Sequence, residues 1–85
     1  MNMNDNILIT ILSQDRKRIV AVKSGKIEVQ RNIGGGRDAK YTIVAGSSDL
    51  ILESIGSYPE EKDAIDALEK VFAAIAAGEK TYIMK

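Results

Sequence analysis

Histidine and cysteine are both absent from the sequence, and these two absences exclude most familiar catalytic and metal-binding chemistry. Without them the chain has no Ser-His-Asp or Cys-His catalytic arrangement, no thiolate or imidazole metal ligand and no disulfide. Small secreted domains usually depend on disulfides, so a cytoplasmic location is expected. We therefore expect a protein that binds rather than catalyses, with no catalytic residue, no metal and no cofactor.

Aromatic residues and net charge are also scarce. Aromatics make up 5% of the 85 residues, so the core must be built from Ile, Leu, Val and Ala. Because 12 basic residues balance 12 acidic ones, there is no overall positive field to attract nucleic acid or an anionic membrane. The N-terminal residues lack the basic region of a signal peptide, and the apolar run at 7–12 is too short to cross a bilayer. The sequence predicts a single domain spanning residues 1–85.

Alternating apolar and polar residues over the first two thirds of the chain indicate β-strands. The strands are predicted at residues 7–12, 18–22, 26–33, 40–45 and 50–55, with turns at 13–16, 23–26, 34–38 and 46–49. Short connections between successive strands predict an antiparallel meander, in which the second strand pairs with the third and the third with the fourth.

The periodicity changes to that of a helix near Pro59, and Gly78 is placed to end that helix. An apolar stripe at helical spacing is expected to face the core; it comprises Ile65, Leu68, Phe72 and Ile75, flanked by Ala64, Val71 and Ala76. Residues 81–84 have the composition of a short final strand or an extended tail. The predicted fold is α+β: an antiparallel β-meander of about five strands with one helix packed on it and a short C-terminal strand.

Several motifs are spread over the two ends of the chain. Ser13, Gln14 and Asp15 precede a basic β-branched strand; Gly56, Tyr58, Glu61, Ala64 and Leu68 follow in a fixed spacing, and the chain finishes with Ala74, Ile75, Gly78, Glu79, Lys80, Tyr82 and Met84. In these features it resembles a family of small uncharacterised proteins from Gram-positive bacteria and their phages. The resemblance covers about half of the chain and misses residues 22–48. It implies a phage-type accessory protein, acting in the host cell cytoplasm if phage-encoded, and implies no catalytic chemistry.

A glycine-rich segment is the sharpest local feature of the sequence. Gly34, Gly35 and Gly36 can turn successive backbone N–H groups toward an anion, and Arg37 adds a forked charge. Flanking side chains that could extend such a site are Arg31, Lys40 and Tyr41. The same glycines also fit a hairpin tip that merely turns the chain, and taken alone the sequence favours that simpler role. The segment matches neither a Walker A motif nor a dinucleotide fingerprint.

Two further clusters of charge have simpler interpretations. Asp15 with the following residues 16–18 is best explained as a charged turn. Asp66 and Glu69 lie on adjacent helical turns, but an acid/base pair or an oxygen-ligand metal site needs a partly dry pocket that an exposed helix face does not provide. An enzyme built on these two carboxylates is therefore the weakest hypothesis.

The remaining expectation concerns partners. The apolar segment 7–12 carries no charge to deter pairing at a sheet edge, so we expect a homo-oligomer. The leading functional hypothesis is an oligomeric, non-catalytic accessory protein that sequesters a small anionic ligand, such as a nucleotide signal of antiphage defence. The alternative is a protein-interaction module, an inhibitor or adaptor that docks a host or phage protein through a sheet edge or the helix surface.

Overall fold

The structure, a computed structural model, describes residues 8–23, 26–31, 40–48 and 51–85. In chain order these residues form β1 (Ile9–Leu12), β2 (Ile19–Val22), β3 (Ile27–Arg31), β4 (Tyr41–Ser48), β5 (Ile51–Tyr58), α1 (Glu61–Ala76) and β6 (Thr81–Ile83). The predicted α+β class is confirmed, with antiparallel neighbours among the first five strands, one helix and a short C-terminal strand.

The described strands form two sheets of three strands each. The first has the order β2-β1-β6 and the second the order β3-β4-β5. The predicted pairing of the second strand with the third is therefore wrong. Strand β2 pairs back onto β1, where Val20 lies opposite Ile11 and Val22 opposite Ile9. All four side chains are buried, so this register places the apolar residues of both strands on one face.

Strand β1 is the central strand of the first sheet. It pairs antiparallel with β2 on one side and parallel with β6 on the other, Ile11 lying opposite Tyr82. The expectation that residues 7–12 form an exposed edge is therefore wrong for the described strand Ile9–Leu12. Its lack of charge reflects burial between two neighbours, not an unprotected edge. The homo-oligomer stays a prediction, but the exposed edge at residues 7–12 no longer supports it.

The second sheet departs from the predicted turn positions. Strand β4 continues through Ser48, so the turn predicted at residues 46–49 begins too early, and β5 extends to Tyr58. Register shifts between Ile43 and Val44, and between Ala45 and Ser48, accommodate the irregular sequence around Gly46 within the ladder. Bulged strands of this kind lose the strict alternation that a sequence pattern depends on.

The core lies between the two sheets and the helix. It is formed by Ile9, Ile11, Val20, Val22, Ile43, Ala45, Ile55, Tyr58, Ala64, Ala67, Val71 and Met84. Strands β2 and β4 contact each other, and α1 packs across β3, β4 and β5. Small residues on α1 allow this close approach, since the three side chains that the helix buries are Ala64, Ala67 and Val71.

The predicted apolar stripe of the helix is not all core. Ile65 is 44% exposed and Phe72 is 72% exposed, while Leu68 and Ile75 are partly buried. The expectation that this stripe faces the core is therefore wrong for Ile65 and Phe72. The alanine-rich face packs on the sheet, and its small side chains bring the helix too close for the adjacent large ones to fit beneath it.

The helix ends as the sequence predicts. The N–H of Gly78 donates to the Ile75 carbonyl at 3.0 Å, and the N–H of Glu79 donates to the Ala74 carbonyl at 2.9 Å. These two bonds form a Schellman motif, which requires a left-handed residue at the position of Gly78. Gly78 has φ +81°, a conformation that glycine adopts without steric cost.

Candidate binding groove

A tight turn between β1 and β2 is organised by the buried hydroxyl of Ser13. Its Oγ donates to Asp15 Oδ1 at 2.6 Å and accepts the N–H of Arg18 at 3.2 Å. Asp15 Oδ1 also accepts the N–H of Lys17 at 2.9 Å. The bond from Ser13, followed by that from Lys17, holds the pKa of the Asp15 carboxyl below its ordinary value. The side chains of the turn thus hold its own backbone in place.

The same turn fixes the C-terminal segment. Arg16 Nη1 donates to the Met84 carbonyl at 2.7 Å, and Gln14 Nε2 donates to the Lys85 carbonyl at 3.1 Å. From the other side, Tyr58 Oη donates to the Lys85 carbonyl at 3.3 Å. Because Met84 is 1% exposed, these bonds hold a core side chain in place.

Tyr58 in turn depends on Gly56, two residues earlier on β5. A Cβ atom at Gly56 would lie 3.1 Å from Tyr58 Oη and 3.2 Å from its Cε2, so the phenol ring occupies the space that a side chain would need. Burial raises the pKa of Tyr58, with a smaller contribution from Tyr82. Gln14, Gly56, Tyr58 and Met84 all belong to the motifs on which the predicted resemblance depends. In the structure, these residues lie together and stabilise the fold.

The predicted anion site is described only in part. Gly34, Gly35, Gly36 and Arg37 lie outside the described residues. Arg31 pairs with Tyr41 across β3 and β4, and Lys40 immediately precedes Tyr41. Arg31 and Lys40 are exposed, while the Tyr41 ring packs partly against the core. The three described members of the site therefore lie together at one end of the β3–β4 pair.

The charged clusters have local partners. Arg18 forms an ion pair with Glu53 at 3.5 Å, which fits its interpretation as part of a charged turn. Asp66 pairs with Lys70 at 3.2 Å, whereas Glu69 lines a different, apolar surface. Across the described part of the chain, no group of three or more acidic side chains is arranged to hold a metal ion.

A polar cleft lies on one flank of α1. Its volume is about 290 Å³, and it is lined by Tyr58, Asp63, Asp66, Ala67, Lys70, Tyr82 and Lys85. Asp66 and Lys70 satisfy each other there, and the opposite charges balance, so the cleft offers no strong selection for a ligand of either sign.

An apolar groove lies on the other flank of α1, between the helix, the residue before β1 and the ends of β2 and β3. We call it the helix groove. Its volume is about 450 Å³, and it is lined by Leu8, Val22 and Ile27 from the strand side and by Leu68, Glu69, Val71, Phe72 and Ile75 from the helix. The volume is in the range of ligand-binding pockets, and the walls are almost entirely hydrocarbon.

The helix groove is open to solvent along its rim. Phe72 is 72% exposed and Leu8 is 44% exposed, and Ile65, one turn before Leu68 on the helix, is 44% exposed. Single exposed apolar side chains are ordinary on protein surfaces, but Leu8 and Phe72 both line the same apolar groove, and grouped exposure of this kind is typical of an interaction site. Phe72 is also the single phenylalanine of the chain. The groove is therefore the candidate functional site.

The sequence contained a signal for this site that its interpretation missed. The helix carries two apolar stripes, one of small residues and one of large residues: Ala64, Ala67, Val71 and Ala74 form the first, and Ile65, Leu68, Phe72 and Ile75 the second. A single sheet surface cannot cover both stripes, because together they occupy about half of the helix circumference. The residues of the opposite wall, Leu8, Val22 and Ile27, had no such signal.

Comparisons with known proteins do not indicate a function, so the function must be inferred from the structure. The chain matches no known protein family, and no curated protein or solved structure is significantly similar to it. The resemblance to small phage proteins accordingly stays a prediction. In the described part of the chain, no helix has the length and apolarity needed to cross a membrane.

Proposed function

We propose that this protein is a non-catalytic protein-interaction module that docks another polypeptide in the helix groove. The observation that carries the proposal is the exposure of Phe72, 72% of whose side chain is open to solvent beside a groove of about 450 Å³. Exposing an aromatic ring costs free energy, and aromatic anchors next to desolvated pockets dominate the energetics of protein interfaces.

An open rim favours a polypeptide over a small molecule. Small-molecule sites bury most of the ligand surface, and enclosing walls are needed to do so. In the helix groove the rim residues Leu8 and Phe72 stand partly in solvent, so they would be covered only by a partner that extends beyond the groove. An inhibitor or adaptor that docks through the helix surface has this character.

Site-specific crosslinking tests the proposal. When Phe72 is replaced by photoreactive benzoylphenylalanine, the protein should capture one partner in stoichiometric amount in the cells that naturally produce it. The same residue replacing Lys70, whose ammonium pairs with Asp66 on the far side of the helix, is the matched control and should capture none. A native partner should also dissociate from Phe72→Ala while staying bound to Arg37→Ala. Capture that does not depend on position 72 would contradict the proposal.

Sequestration of a small anionic ligand is a second candidate, supported by the grouping of Arg31, Lys40 and Tyr41 at one end of the β3–β4 pair. Two cations beside an aromatic ring can bind a phosphate and stack a base. Native mass spectrometry with a mixture of cyclic and linear nucleotides tests it. Stoichiometric adducts lost in Arg31→Ala and Arg37→Ala, but kept in Arg18→Ala, would favour this function over the interaction module.

A further inference from the structure

The large apolar stripe of α1 has the spacing of a helix-pairing seam. Ile65, Leu68, Phe72 and Ile75 follow one another at intervals of three, four and three residues, which are the a and d positions of a heptad. The stripe extends for about 15 Å along the helix axis at 1.5 Å per residue. That length corresponds to between two and three turns of a second helix laid alongside α1.

One charged residue interrupts the apolar lining of the groove. Glu69 follows Leu68 and lines the groove with Phe72 and Ile75. Among the described residues Glu69 takes part in no ion pair, in contrast to Asp66, which pairs with Lys70. A carboxylate at this flanking heptad position selects a partner helix by charge, because flanking positions form the salt bridges that set partner choice in paired helices.

A second copy of the chain is a poor occupant for the same reason. In a symmetric dimer the same patch meets itself across a two-fold axis, so residues near the middle of the patch face their own copies. Glu69 lies one residue from the midpoint of the stripe between Ile65 and Ile75. Antiparallel self-pairing would therefore oppose two carboxylates at the edge of an apolar seam, where like charges are costly.

From the heptad spacing and the single carboxylate, we propose that the occupant of the helix groove is an amphipathic helix of another protein, with large apolar anchors and a lysine or arginine that pairs with Glu69. This inference rests on the proposed function and specifies its partner. The anchors fill the groove between α1 and the opposite wall of Leu8, Val22 and Ile27, and the cation lies against Glu69 at the rim.

Binding of two synthetic peptides, followed by fluorescence anisotropy, tests the inference. Both peptides have three heptads with leucine at positions a and d. One peptide carries lysine at positions e and g, and the other carries glutamate there. The like charges within each peptide repel a second copy, so each peptide remains monomeric. We expect the lysine peptide to bind about tenfold more tightly than the glutamate peptide. Glu69→Lys should reverse the preference, Phe72→Ala should abolish binding, and Glu79→Lys, the same charge change outside the groove, should leave it unchanged.

The possible failures are distinguishable. Equal binding of both peptides, lost in Phe72→Ala, would overturn the inferred charge selection and leave the groove as an interaction site. A dimer in analytical ultracentrifugation that Phe72→Ala dissociates, with no peptide binding, would assign the groove to a second copy and overturn the inference. A monomer that binds neither peptide would also overturn it, while the crosslinking at position 72 decides the proposed function separately.

Discussion

Arg16 and Met84 are joined by a hydrogen bond of 2.7 Å, which runs from the arginine Nη1 to the methionine carbonyl oxygen. Arg16 reaches this position from a left-handed backbone with φ +67°. A side chain with a Cβ atom adopts that conformation at a cost of roughly 1 kcal/mol. The turn between β1 and β2 is thus strained at the residue whose side chain holds the C-terminal segment, which carries the buried Met84.

Substitutions at Arg16 should separate the strain from the hydrogen bond. Arg16→Ala loses the bond and keeps the strained backbone, whereas Arg16→Gly loses the bond and removes the strain. We expect Arg16→Ala to lower the free energy of unfolding by about 1 kcal/mol and Arg16→Gly to lower it less. Urea denaturation of the three proteins measures the difference. Equal losses would show that the left-handed conformation stores no strain.

Ser13→Ala should destabilise the same turn. The substitution removes the donor to Asp15 and leaves the N–H of Arg18 without its hydroxyl partner. We expect a loss of about 1–3 kcal/mol in the free energy of unfolding, as for a buried polar group left without a partner. Ser13→Thr, which keeps the hydroxyl, is the control. A Ser13→Ala protein as stable as the native chain would show that water replaces the hydroxyl.

Acid should weaken the protein through Asp15. The carboxyl has a lowered pKa in the folded state, so its stabilising contribution is present above the unfolded pKa and is lost as pH falls through the folded one. Ser13→Ala should raise the pKa of Asp15 toward the ordinary value and reduce this part of the acid sensitivity. Carboxyl titration by NMR checks the shift. An unchanged Asp15 pKa in Ser13→Ala would contradict the assigned cause.

Alkali should weaken the protein through Tyr58. Desolvation raises the folded pKa of this phenol above its ordinary value near 10.0. The stabilising contribution is therefore present below the unfolded pKa and is lost as pH rises through the folded one. Absorbance at the phenolate band should show a late titration that disappears in Tyr58→Phe. Titration of all tyrosines together at the ordinary pH would contradict the burial of this ring.

Truncation of Val71 should destabilise the protein and truncation of Phe72 should not, although the two are neighbours on α1. Val71 is 1% exposed, so Val71→Ala should cost about 1–3 kcal/mol of unfolding free energy. Phe72 is 72% exposed, so Phe72→Ala should change stability by no more than about 0.5 kcal/mol. Thermal and urea denaturation measure both. A large loss in Phe72→Ala would show that the ring is part of the core and would remove the basis for the interaction site.

The sequence pattern predicts local elements better than their pairing. Alternation located the first three strands, and the helical period together with Gly78 located the end of α1. Pairing depends on which apolar faces meet, and Val20 and Val22 suit more than one partner strand by composition alone. The short turn after β1 favours their match to Ile11 and Ile9, but no local pattern shows that β3 leaves β2 and joins a second sheet.

The candidate site was harder to predict than the fold. The large stripe of α1 was visible in the sequence, but its exposure follows from the alanine face that occupies the sheet instead. Leu8 precedes β1, whereas Val22 ends β2 and Ile27 begins β3, and only the folded chain brings the three to one wall.

Parallel pairing of β6 with β1 has a consequence for synthesis on the ribosome. The second sheet consists of successive antiparallel neighbours, so it can assemble while the chain emerges. The first sheet cannot be completed until β6 has been made, after β5 and α1, and one side of β1 is uncovered until then. The strand Ile9–Leu12 of a nascent chain can therefore pair with β2 early, but its other edge stays open until β6 has been made.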